Sequence, residues 1–289
     1  MQPVKFPFLF LCLALSISAT HLFSQGKIGI FAGAGYMYYN GDLGDKSNKV
    51  FTKPVFFHPY VCIGASHWLT GHIEGSLFLL HGKVDGADSL SLEKNNLARN
   101  LSFESPIDEL SLRFELNTFH RYERSRLNTY IFTGASVFHF NPKAKLNGTW
   151  YELQPLGTEG QYITGGGYAR PYKLFQLDVP LGFGIALQLS RRFRLKAEFC
   201  HHLLFTDYLD DVSTVYPDVE SLLATPGGEL AVALSGRQLN GKYPKANSQR
   251  GNSKFKDAFT TFGFTLVYNP GIMQCPATFK STRIRKHRY

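Results

Sequence analysis

The side chains best equipped for chemistry lie in one stretch, HHLLFTDYLDDVSTVYPD, residues 201–218. An imidazole oriented by a carboxylate can act as a base near neutral pH and activate water. His202, Asp207, Asp210 and Asp211 are therefore candidates for a hydrolytic site at the rim of a larger scaffold. Asp and Ser also favour turns, and several carboxylates together can hold Ca²⁺. The spacing fits neither an EF-hand loop nor a zinc-ligand pattern. The segment reads foremost as a hydrogen-bonded folded loop, with an ion site and a catalytic site as the alternatives.

Nothing else in the chain matches a catalytic or cofactor motif. Gly33, Gly35, Gly182, Gly184 and the run 165–167 lack the strand–loop–helix setting of a phosphate cradle. They read as close packing in strands and turns. Cys12 lies in an apolar leader, and Cys62, Cys200 and Cys275 show no CxxC spacing. Free thiols are expected, with no disulfide framework, metal or cofactor.

A second set of charges occurs at strand spacing. In IDELSLRFELNTF (107–119), Leu110, Leu112, Phe114, Leu116 and Thr118 alternate with Glu109, Ser111, Arg113, Glu115 and Asn117. Successive side chains of a strand face opposite sides, so this strand has one apolar and one ionic face. The same holds for 193–205, where Arg194, Lys196 and Glu198 oppose Phe193, Leu195, Ala197 and Phe199. Asp178 falls on the polar side of a third such run. Glu109, Arg113, Glu115, Asp178, Arg194, Lys196 and Glu198 are read as ion pairs inside a barrel.

Eight period-two segments position these residues: 27–39, 55–66, 72–83, 107–119, 128–140, 175–189, 193–205 and 257–269. Long and short connections alternate strictly between them. Short turns at one rim and long loops at the other mark an outer-membrane barrel, with the short turns on the periplasmic side. A soluble lipocalin-type barrel would need an apolar interior and a polar exterior, and the ionic faces argue against it. The expected fold is all-β, an eight-stranded antiparallel transmembrane β-barrel with short periplasmic turns and long extracellular loops. Eight strands leave an interior that side chains fill, so paired charges are expected there rather than an open pore. The loops 149–161 and 228–239 carry apolar residues suited to packing over the mouth, the second as a short helix.

The ends fit this reading. Lys5, an apolar run from Phe6 to about Ile17 and the small residues after it have the layout of a signal peptide over 1–25. The barrel would occupy 26–269 and a basic periplasmic tail 270–289. The formal charge is +9. Arg121, Arg124 and Arg126 cluster in one turn, Arg191 and Arg192 in another, and Lys280, Arg283, Arg285, Lys286 and Arg288 load the tail. In an exported chain such clusters suit anionic lipid or an acidic protein partner, and no nucleic acid is expected.

Six segments then point to a family: YNGDLG (39–44), NLSFESPIDELSLRFELNTF (100–119), NGTWYELQPLGTEGQ (147–161), FQLDVPLGFGI (175–185), TDYLDDVSTVYPD (206–218) and RGNSKFKDAFTTFGFTLVY (250–268). Together they resemble the PorG-type outer-membrane barrels of Bacteroidota. The resemblance implies a non-enzymatic component of the type IX secretion system in the outer membrane of a Gram-negative cell. It implies association with the periplasmic ring of that machine, and it carries no catalytic residues. The turn with Arg121, Arg124 and Arg126 and the tail with Lys280, Arg283, Arg285, Lys286 and Arg288 are the expected partner contacts. The alternatives are an omptin-like protease or lipase at the rim and a purely structural OmpA-like barrel.

Overall fold

A computed structural model describes residues 28–43, 57–91, 93–121 and 125–270. The signal segment, Arg124, Cys275 and the basic tail with Lys280, Arg283, Arg285, Lys286 and Arg288 lie outside the described residues. The chain forms β1 (Ile28–Asn40), β2 (His58–Trp68), β3 (Ile73–Ala87), β4 (Ser102–Asn117) and β5 (Leu127–Phe140). A short hairpin follows, β6 (Lys143–Leu146) and β7 (Thr149–Glu152). The barrel resumes with β8 (Phe175–Gln188), β9 (Phe193–Leu204) and β10 (Ala258–Tyr268). Helices α1 (Lys94–Arg99), α2 (Val219–Leu223) and α3 (Gly228–Ser235) sit in the loops.

Every barrel strand pairs antiparallel with its neighbours in sequence, and β1 closes on β10 from Ile30↔Tyr268 to Asn40↔Ala258. The result is the closed eight-stranded antiparallel barrel expected from the alternation. The β6–β7 hairpin joins its edge only at Glu104↔Lys143. Two expected boundaries change. The third and fourth strands run on past 83 and begin before 107, pairing continuously to Ala87↔Ser102. The long connection between them shrinks to 88–101, which carries α1. The polar residues Lys83, Asp85 and Glu104 hid this extension, because above the bilayer the outer face of a strand meets water.

The wall decides what surrounds the barrel. Val61, Ile63, Leu112, Ile131, Phe183 and Phe264 are among many large apolar side chains that point outward and are about half exposed. Leaving each in water would forfeit about 2 kcal/mol of burial, whereas lipid removes that cost. Tyr36, Phe175 and Phe205 border this belt on the long-loop side, and Phe119 and Phe193 on the short-turn side. Such girdles mark the two interfaces of a membrane barrel.

The interior is layered. Near the short turns lie Trp68 and the ionic residues; further up come Phe138, Phe140, Phe259, Met37 and Ile107, all fully buried. This apolar layer continues into loop residues Leu153, Leu209, Val212 and Leu234 as one core. Gly182 and Gly184 make room inside the wall, since a Cβ on either would strike the ring of Phe132 or Tyr130.

Candidate functional site

The ionic layer is built by inward positions on four strands, at heights fixed by register. Arg194 Nη2 donates to both carboxylate oxygens of Glu74, at 2.6 and 2.8 Å. Lys196 Nζ bridges Glu115 at 2.7 Å and Glu74 at 3.5 Å. Arg113 lies 3.5 Å from Glu109 and 4.0 Å from Glu198, with its guanidinium 3.6 Å from the centre of the Phe78 ring. The Tyr130 hydroxyl donates to Glu198 at 2.7 Å. Asp178 lies higher, 2.9 Å from His202 Nδ1. Glu109, Arg113, Glu115, Asp178, Arg194, Lys196 and Glu198 all take inward positions, and all but Glu198 are buried.

Two members escaped the sequence reading. Glu74 was visible on the polar face of its segment but had no charged neighbour within it. His202 was expected at the rim; it is wholly buried in the lumen, with Nδ1 also 3.1 Å from Glu109 Oε2. Its ring stacks on Phe259 at 4.1 Å. It faces inward because its position on β9 repeats the parity of Arg194 and Lys196.

This layer shuts the barrel. Between Phe31, Phe78, Arg113, Glu115, Lys196 and Thr265 the free space is about 10 Å³, room for one water at most. Glu109, Asp178 and His202 alone, among the described residues, bring three candidate ligand atoms within 4.8 Å of one another.

The aspartates of 207–218 lie elsewhere, in a folded cap over the mouth. Asp210 accepts the Tyr39 hydroxyl at 2.5 Å and the Val212 amide at 2.8 Å. Tyr39 also donates to Asp257 at 2.9 Å, and Asp257 accepts the Leu209 amide at 2.9 Å. Asp207 takes the Ser213 hydroxyl at 2.7 Å. Asp211 is held by the hydroxyls of Thr158 and Tyr172 and by Arg250. Asp207, Asp210 and Asp211 are all buried. Burial pushes the carboxyls of Asp210 and Asp257 well above the usual range, Asp207 up to about 7 and Asp211 up to about 6. The four residues considered for hydrolysis thus do not converge: His202 meets Glu109 and Asp178, and the aspartates are spent on folding the loop.

Two arginines that no spacing announced clamp the cap. Arg99 binds Asp88 through two nitrogens at 2.7 Å and donates to the carbonyls of Arg250 and Asp42. Arg250 lies 3.1 Å from Glu159, which also accepts the amides of Ser213 and Thr214. α3 forms within 228–239 as expected, with Ala231 and Leu234 buried.

At the short-turn rim, Arg126, Arg191 and Arg192 are exposed. Arg121 instead sits with its guanidinium 5.7 Å from the Trp68 ring, which Arg194 approaches at 5.4 Å from its own level.

Strand pairing, an apolar wall and an ionic interior define a small closed barrel of outer-membrane type. No protein-family model matches the chain, and comparison with curated protein sequences finds no match. Among solved structures it is similar to Neisserial surface protein A, with TM-score 0.41 and 6% identity over 85% of this chain and 97% of that one. It is also similar to Ail of Yersinia pestis bound to the heparin analogue sucrose octasulfate, at TM-score 0.39, 8% identity, 84% of this chain and 98% of that one. The N-terminal β-barrel domain of Pseudomonas aeruginosa OprF gives 0.34, 10%, 84% and 98%.

Proposed function

We propose that this protein is a non-enzymatic outer-membrane anchor for a periplasmic protein-export assembly, a component of type IX secretion in a Bacteroidota-type cell. The observation that carries the reading is the double closure of the lumen, ionic below and apolar above. A barrel with no conduit has only its rims and its wall for function. The cap spends its polar groups on itself, and at the short-turn rim Arg126, Arg191 and Arg192 are exposed basic groups among the described residues. Such a rim suits an acidic ring protein or anionic headgroups. The six-segment resemblance supplies the machine.

The test is the extracellular proteome of a strain lacking the gene, beside a complemented strain. Loss of proteins bearing the type IX sorting domain from the medium, with their accumulation in the periplasm, supports the role. Unchanged secretion overturns it and leaves a structural OmpA-like barrel. Replacing Arg126, Arg191 and Arg192 by Glu should release the periplasmic partner from co-purification while the barrel still inserts.

A further inference from the structure

We propose that Glu109, Asp178 and His202 form a site for a divalent first-row metal ion of the zinc class, sealed inside the lumen. The three side chains come from β4, β8 and β9 and are fully buried. His202 Nδ1 lies 2.9 Å from Asp178 Oδ2 and 3.1 Å from Glu109 Oε2. A ring nitrogen carries at most one proton, so two carboxylates compete for it. Glu109 Oε2 accepts no hydrogen bond, and neither does Asp178 Oδ1. Unpaired buried carboxylate oxygens are costly.

Spacing and charge both favour a cation. Adjacent ligands held at about 2.1 Å lie about 3 Å apart in an octahedron and about 3.4 Å apart in a tetrahedron. The two separations from Nδ1 are close to the octahedral value and shorter than the tetrahedral one. Lower in the lumen, Glu74 and Glu115 are balanced by Arg194 and Lys196. Of the remaining carboxylates, Glu109 and Glu198 pair with Arg113, and Asp178 has no basic partner besides His202 among the described residues. That is three negative charges against one. A protonated His202 leaves one negative charge over, whereas a dication with neutral imidazole leaves none.

The support around Glu109 has the right form, while His202 Nε2 finds no hydrogen-bond partner among the described residues. Ser111 Oγ donates to Glu109 Oε1, the oxygen that Arg113 also faces. Oε1 is thereby occupied and Oε2 is turned to His202, as outer-shell partners orient a metal ligand. One imidazole with two carboxylates suits zinc or manganese better than calcium, which takes oxygen alone.

Because the site is sealed, the ion must enter as the barrel forms. The experiment folds the full-length mature chain into detergent micelles with Zn²⁺ or with chelator, removes free metal, and measures bound zinc by mass spectrometry beside the thermal midpoint. One zinc per barrel and a higher midpoint for the zinc-folded protein are expected. Asp178→Asn and His202→Gln should lose the ion, and Ser111→Ala should weaken binding about tenfold. His81→Gln, altering an exposed His–Asp pair on the wall, should keep it. No stoichiometric zinc in the folded parent overturns the proposal in favour of a hydrogen-bonded imidazolium. Retention by both ligand variants overturns it in favour of adventitious surface zinc. If the ligand variants fail to fold, the content and midpoint of the parent beside His81→Gln decide.

Discussion

Glu74 is the residue on which the lower lumen turns, since it accepts two hydrogen bonds from Arg194 Nη2 and shares Lys196. Removing one member of a buried ion group strands the others, at about 3–5 kcal/mol. Glu74→Gln should therefore lower the urea midpoint of the folded barrel, read by tryptophan fluorescence at Trp68. The double variant Glu74→Met with Arg194→Met should recover much of that loss, because apolar replacement of both partners removes the stranded charge. Asp211 offers a test of a different kind. Its φ is 65°, a left-handed conformation that Asn tolerates and β-branched residues resist. Asp211→Asn should keep the cap closed, whereas Asp211→Val should lose both the backbone fit and the Thr158, Tyr172 and Arg250 contacts. Limited proteolysis within 205–257 separates the two outcomes.

The elements divide into strands that were legible and loops that were not. Alternation placed all eight barrel strands and separated their apolar from their ionic faces, because burial on one side imposes a period of two, though it left His202 at the rim. It stopped short at the tops of β3 and β4, where both faces carry polar residues and the period loses its contrast. The cap gave no periodic signal. Its clamps join Arg99 to Asp88 and Arg250 to Glu159, and the second of these pairs is linked only by the tertiary fold. The aspartates of 207–218 were visible, but their partners Tyr39 and Asp257 come from the far ends of the barrel. The cap also carries a pH signature. Asp207 and Asp211 are pushed up from 3.8 to about 7 and about 6, so the folded cap holds their protons more tightly than the unfolded chain. That contribution is complete below about pH 4 and is lost as pH rises through 6 and 7. Proteolysis of the cap should accelerate between pH 5 and pH 8, and Asp207→Asn should flatten the rise.

At the scale of the whole molecule, the barrel is closed twice. It should pass no steady current in a planar bilayer. Glu109→Ala with Arg113→Ala should remain silent as well, because Ile107, Phe138, Phe140 and Phe259 still fill the next layer. Current from that variant would mean that the ionic layer alone holds the barrel shut. The closure between β1 and β10 has a further consequence, for biogenesis. Tyr39 and Asp257, which share a hydrogen bond, are 218 residues apart, and the last strand to be made is the one that meets the first. Until it arrives, β1 and β9 each present an unpaired edge, the kind of surface that recruits other strands and aggregates. Local hairpins can form early, but this seam has to wait for a very long loop to close. A truncation that removes Ala258–Tyr268 leaves both edges open for good, so it should be degraded rather than inserted.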